Sequence, residues 1–299
     1  MNNSVVNSVS PKQMAQLIGA SESSVKRWCD TGRIPSKLTP GGHRRIEVAT
    51  LLGFVKSSKY ELHQPELLGI KNASIDHSDA ELTQNIIFDA LTCGNLDEAF
   101  MHTSLAFVGG KSLPSLLDEV ITPVFARIGD EWECGELHVY QERIACRNLS
   151  QLLLRLRDLI TINPQGPMAI GGALSGDPYE LPSLMVELML LDAGWKANFL
   201  GANLPVQSIL SAVDNLQPEL IWLSVSSIND PLDAFAANMA DIWEKAHGTP
   251  IVVGGRALTS ELRKNIRASI FCDNMQQMFD CLATLNTSAR RLMIEPKDN

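Results

Sequence analysis

At 299 residues, with 45% hydrophobic and 20% charged content, the chain is long enough for two or three domains with sizeable cores. No secretory signal stands out, and no run of about eighteen apolar residues could span a membrane; the stretch 181–194 is interrupted by Pro182, Glu187 and Asp192. The six cysteines (Cys29, Cys93, Cys134, Cys146, Cys272 and Cys281) form no CxxC pair, so a reduced cytoplasmic protein without a disulfide framework or metal site is expected.

The net charge of −9 is unevenly spread. Residues 1–60 hold nine Lys/Arg against three acids, a net +6, which leaves −15 on residues 61–299. A basic end on an acidic protein fits an electrostatic footprint for phosphate.

The basic end has a pattern of its own. Ser10, Pro11 and Gln13 predict a capped helix start with an S-x-x-Q capping box. Met14, Leu17 and Ile18 make one apolar stripe, and Gly19 ends it. Ser21 caps a second helix in which Val25 and Trp28 face inward, leaving Ser23, Ser24, Lys26 and Arg27 outside. Thr39-Pro40-Gly41-Gly42 predicts a turn that carries His43, Arg44 and Arg45 outward as a basic wing, with Arg33 and Lys37 leading into it. Two short helices with a basic outer face fit a reader of the major groove of double-stranded DNA. The competing reading is a small helical domain with a solvated basic face.

A helix using Val48, Leu51, Leu52 and Val55 closes this domain, 1–60, and residues 61–76 read as a polar linker. Residues 77–162 carry helical patterns at 79–92, 95–107, 112–130 and 138–160, which pack as a four-helix bundle. Leu149, Leu152, Leu153 and Leu156 are its expected core. Residues 167–286 alternate candidate strands (168–174, 196–200, 220–224, 251–253, 269–272) with helical patterns at 181–193, 206–215, 232–246, 257–265 and 275–286. That is the signature of a doubly wound α/β parallel sheet, whose ligands bind beyond the carboxyl ends of the strands. Residues 287–299 are a tail. No catalytic constellation is evident, so an enzyme is not expected.

Residues 8–56 resemble the winged helix-turn-helix of the MerR family on Ser21, Val25, Arg27-Trp28, Gly32, Ile34-Pro35, Thr39 and Gly41-Gly42-His43-Arg44-Arg45-Ile46. That resemblance implies a DNA-binding regulator acting as a homo-oligomer, a dimer or higher. With the bundle and the α/β segment, about 270 residues resemble the CarA, CarH and LitR group of cobalamin-dependent photoreceptor repressors. In that group the first βα loop carries D-x-H-x-x-G, whose His is the lower cobalt ligand and whose Asp orients it. Here the loop reads Asp177-Pro178-Tyr179-Glu180-Leu181-Pro182, with Tyr for His and Pro for Gly. A phenol with a pKa near 10 is a poor cobalt ligand at neutral pH. Ser224 and Gly254-Gly255 resemble the nucleotide-tail residues, but Ser226 stands where the group has Leu. In the bundle, Trp132, Val139 and Glu142 keep the W-x9-E spacing of the cap that covers the cofactor. Arg143 replaces its His, and Glu133 stands where the photoreceptors carry a light-state ligand. Trp132 and Val139 also read as ordinary core.

The expectation is therefore a MerR-type regulator with a degenerate cobalamin site at Trp132, Val139, Glu142, Asp177, Tyr179, Ser224, Gly254 and Gly255. No cofactor is expected, and control passes to another ligand, a protein partner or oligomerisation. Three alternatives stay open: a true cobalamin or light sensor without His ligation, a corrinoid carrier, and a haem site using Tyr179.

Overall fold

The computed structural model describes residues 6–69, 76–229, 231–282 and 284. Part of the expected linker (70–75), the end of the last expected helix and the tail 287–299 lie outside these residues. The chain forms two compact units, residues 1–161 and 162–299.

The first unit opens with β1 (Ser8–Val9) and α1 (Pro11–Leu17). The capping box forms as expected: Gln13 N donates to Ser10 Oγ at 3.2 Å and Ser10 N to Gln13 Oε1 at 2.9 Å. Next come α2 (Glu22–Asp30), capped by Ser21, the wing strands β2 (Lys37–Leu38) and β3 (Arg44–Glu47), and α3 (Val48–Lys56). The strands lie antiparallel in the order β1-β3-β2. Met14, Leu17, Val25, Ile46, Leu51 and Leu52 are fully buried beneath them.

The segment expected as a polar linker is partly folded onto this head. A 3-10 turn, Pro65–Leu68, buries Leu68 completely, and Leu68 O accepts from Val6 N at 3.0 Å. His63 N donates to Leu17 O at 2.8 Å, and the His63 ring lies against the Cα of Gly19.

The bundle comprises α4 (Ala80–Thr92), α5 (Leu96–Val108), α6 (Leu113–Leu116), α7 (Thr122–Glu133) and α8 (Val139–Leu156). Leu149, Leu152, Leu153 and Leu156 form its core, as their spacing predicts. The expected helix 112–130 is interrupted by a π-helical turn, Leu117–Ile121, ahead of Pro123. Proline has no N–H to give to the carbonyl of residue 119. Gln84 Nε2 donates to Glu119 O instead, at 2.6 Å.

The second unit holds β4 (Met168–Gly172), α9 (Leu181–Asp192), β5 (Lys196–Phe199), α10 (Val206–Leu216), β6 (Leu220–Ser224), α11 (Leu232–Lys245), β7 (Ile251–Gly254), α12 (Ser260–Asn265) and β8 (Ile270–Cys272). All five strands are parallel, in the order β5-β4-β6-β7-β8. The order reverses at β4, so the crevice at its carboxyl end, beside β6, is the place for a ligand.

Glycines bring the central strands together. Gly171 pairs with Trp222, and a Cβ at Gly171 would sit 2.2 Å from both the Trp222 ring and its carbonyl oxygen. Gly171→Ala must therefore move backbone, with an expected loss of about 3 kcal/mol. Urea unfolding followed by sheet-sensitive circular dichroism checks this against wild type.

Candidate nucleic-acid interface and sheet crevice

On the head, α2 offers one exposed polar face. Ser23, Lys26 and Arg27 are exposed, whereas Val25 and Trp28 are buried. Ser24 is half-buried, and its hydroxyl accepts from Ser21 Oγ at 2.9 Å. Lys26 pairs with Glu22 one turn earlier, at 2.8 Å. A pair this exposed is worth little and is easily exchanged for a phosphate.

The wing differs from the expected all-outward set. Residues alternate faces along a strand, and Ile46 is fully buried, so Arg44 shares its inward side. Arg44 Nη1 bonds Asp30 Oδ1 at 2.6 Å and Lys26 O at 3.2 Å, fastening the wing to the end of α2. Arg45 takes the outward side opposite Lys37, which forms an exposed pair with Glu47. His43 is exposed at the hairpin tip, where Gly42 adopts φ +76. Arg33 is exposed too, but its guanidinium lies 5.4 Å and 5.3 Å from the Trp28 and Phe54 ring centres. It is held on an aromatic cluster. The exposed positive groups of the expected DNA set are thus Lys26, Arg27, Arg33, Lys37, His43 when protonated, and Arg45, while Arg44 braces the wing.

In the bundle, Trp132 is 46% and Val139 59% exposed, so neither is core. Tyr140 and Ile144, which no sequence motif marks, extend the same exposed apolar run. Glu142 is partly covered; its carboxylate meets Arg143 at 3.3 Å and accepts the Cys146 thiol at 3.3 Å. Burial and that carboxylate push the Cys146 thiol up to about 12.

In the second unit, the loops beyond the strands are laced together. Asp177, 3% exposed, accepts from Ser226 N at 2.6 Å, Tyr179 N at 3.1 Å and Ser227 N at 3.2 Å. Its neighbour Gly176 donates its N–H to Asn203 Oδ1 at 2.8 Å, and its carbonyl accepts from Asn229 Nδ2 at 2.7 Å. Ser224 Oγ is spent on Ser183 Oγ at 2.7 Å. Tyr179 is 38% exposed, with the Arg256 guanidinium 5.1 Å from its ring centre. Arg256 Nε also donates to Ser226 O at 3.3 Å. Gly254 and Gly255 let β7 turn here: Gly255 has φ +126, and a Cβ on it would lie 2.3 Å from Val225 O. His247 stands at the opposite end of β7 and faces Asp214 at 3.8 Å. The structure thus gathers Asp177, Tyr179, Ser224, Gly254 and Gly255 at one mouth. Ser183, Asn203, Ser226, Ser227, Asn229 and Arg256 join them. Of these, Ser226, at the Leu position of the resembled motif, and Arg256, directly after the Gly pair, had a readable signal in the sequence.

Residues 9–59 match the family described as a helix-turn-helix domain, and residues 84–157, the bundle, match the B12 binding domain. The chain is 29% identical over 127 residues to the HTH-type transcriptional repressor CarA of Myxococcus xanthus, covering 42% of this chain and 44% of that protein. It is 28% identical over 178 residues to the repressor CarH of the same organism, covering 58% of each. The chain therefore spans about half the length of the curated relatives it matches. The corrinoid protein for monomethylamine of Methanosarcina barkeri shares the fold with a TM-score of 0.56 at 16% identity, over 69% of this chain and 99% of that one. A helix-turn-helix domain and a B12-type region thus stand on one chain homologous to transcriptional repressors. None of the described helices is long and apolar enough to cross a membrane.

Two outcomes follow from this geometry. Arg44→Ala removes a charge-assisted brace and should lower the denaturation midpoint, whereas Arg45→Ala should leave it close to wild type; chemical denaturation of both variants checks the contrast. At pH 7.5, iodoacetamide should label exposed Cys93 and Cys134 well before Cys146, whose thiol is held protonated, as read by peptide mass spectrometry.

Proposed function

We propose that the chain is a DNA-binding transcription regulator of MerR type, with no catalytic role, whose α/β module does not take cobalamin through a histidine. The observation that carries the DNA half is the exposed α2 face flanked by a braced wing that turns Arg45 outward. A single head touches too little DNA for tight specific binding, so the regulator works as a homo-oligomer, a dimer or higher, on paired half-sites. The relatives' description as repressors favours repression as the sign.

The sensor half of the reading rests on fit. Cobalamin bound in the manner of the resembled group needs a ligating His, a free Asp behind it and clearance for the ring. At this mouth Tyr179 stands in the ligand's place, beneath Arg256. The Asp177 carboxylate is engaged by three backbone amides of its own protein. Pro182 occupies the first turn of α9, where the motif has Gly. These residues do not fit His-ligated cobalamin. Control by another ligand, a protein partner or oligomerisation takes its place. The second reading, cobalamin held without His ligation, draws on the match of the bundle to the B12 binding domain and on exposed Trp132 and Val139.

Two experiments test the proposal. Duplex DNA binding should weaken steeply with salt, and Arg27→Ala with Arg45→Ala should flatten the log–log slope by about 0.9 for each phosphate that is no longer neutralised; an unchanged slope and affinity count against DNA binding through this face. Tyr179→His with Pro182→Gly restores D-x-H-x-x-G in front of Asp177. It should gain a His-ligated absorbance spectrum with hydroxocobalamin that the wild type lacks. A double variant that still does not bind would mean that the laced loops themselves exclude the corrin.

A further inference from the structure

We infer that α3 is a rigid joint through which the helical bundle sets the position of the recognition helix α2. This goes beyond the proposed function, because it concerns how head and bundle communicate and not what either binds.

Helix α3 is apolar on nearly every side: Val48, Leu51, Leu52, Phe54 and Val55 are all buried. Such a helix needs partners on two faces. One face is the head's own core. The other lies against the bundle at two points. At Gly53 the backbones come close, and a Cβ there would be 3.7 Å from Asp158 O and 4.0 Å from the Leu159 Cα, in the turn that ends α8. One turn on, Lys56 Nζ donates to Phe107 O at 3.1 Å and sits 3.8 Å from the Phe107 ring centre. Phe107 lies in the last turn of α5, where unsatisfied carbonyls attract a cation.

Between these two anchors Phe54 turns back to the head. Its ring centre is 5.2 Å from that of Trp28, the buried anchor of α2. Tyr60 packs on both rings at 5.4 Å and 5.8 Å, and the following residues bind α1 through His63. The chain leaving α3 is therefore a strap over the head and not a free tether. A cleft of about 230 Å³, with Arg33, Thr50 and Asp158 among its walls, runs along the same seam. A shift of the α8 end is passed to α3 by backbone contact and from Phe54 to Trp28 by ring contact.

Hydrogen–deuterium exchange of the full chain, read by mass spectrometry, tests the joint. In wild type, amides 157–161 and 53–57 should be protected. Gly53→Leu wedges the seam and should speed exchange by about tenfold or more at 157–161 and also within α2, residues 25–30. Lys56→Met should do the same at 105–109 and in α2, and Lys56→Arg should retain most of the protection. Amides of β4 and β6 in the other unit report global folding; if Gly53→Leu unfolds the chain, Lys56→Met decides. Faster exchange confined to the bundle side, with α2 unchanged, would overturn the proposal, as would a wild type whose residues 157–161 exchange at free-chain rates.

Discussion

One buried carboxylate governs the mouth of the parallel sheet. Asp177 receives three backbone N–H groups, two from the loop after β6 and one from its own loop. A buried charge is stable only when its lone pairs are met, and here they are met from within the chain. The loop after β4 is thereby fixed at the point where the strand order reverses. Asn203 and Asn229 extend the lacing to both sides, and Arg256 over Tyr179 brings in the loop after β7. The same aspartate that would orient a metal-bound histidine thus serves as a staple. The fold keeps the geometry of a cofactor crevice while the Asp177 carboxylate is satisfied from within the chain; the buried Ser226 hydroxyl beside it has no protein partner among the described residues.

The head obeys a similar economy. Its wing strand can present only every second side chain, and burying Ile46 commits Arg44 to the inside. That arginine becomes the brace that holds the wing at the end of α2, so the neighbouring Arg45 can face outward. Arg33 stacks on Trp28 and Phe54, next to the seam with the bundle. The basic charge of the first sixty residues is therefore divided between holding the head together and facing solvent.

Much of this was legible in the sequence, for identifiable reasons. The Ser10 capping box, the Ser21 cap and the strand Leu220–Ser224 rest on local chemistry and on apolar runs, and each stands where its pattern puts it. The Leu149–Leu156 stripe is core because a period near 3.6 leaves it no other face. What escaped depends on distant partners. The π turn before Pro123 is completed by Gln84, 35 residues before the Glu119 carbonyl it meets. The polar stretch after Tyr60 folds onto the head because His63 and Leu68 find α1 and β1 neighbours that no window of sequence contains. Trp132 and Val139 read equally well as core, and only the fold exposes them. At the crevice, the substitutions Tyr179 and Pro182 were plain, but the lacing of Asp177 by Ser226 and Ser227 was not.

The residues at this mouth do not hold a histidine-ligated corrin. This is tested most directly by the visible spectrum of the purified wild-type protein, freed of small molecules by gel filtration after incubation in the dark with adenosylcobalamin or hydroxocobalamin. The protein fraction should carry no His-ligated, base-off cobalamin spectrum. A stoichiometric, base-off spectrum that co-elutes with the protein would contradict it.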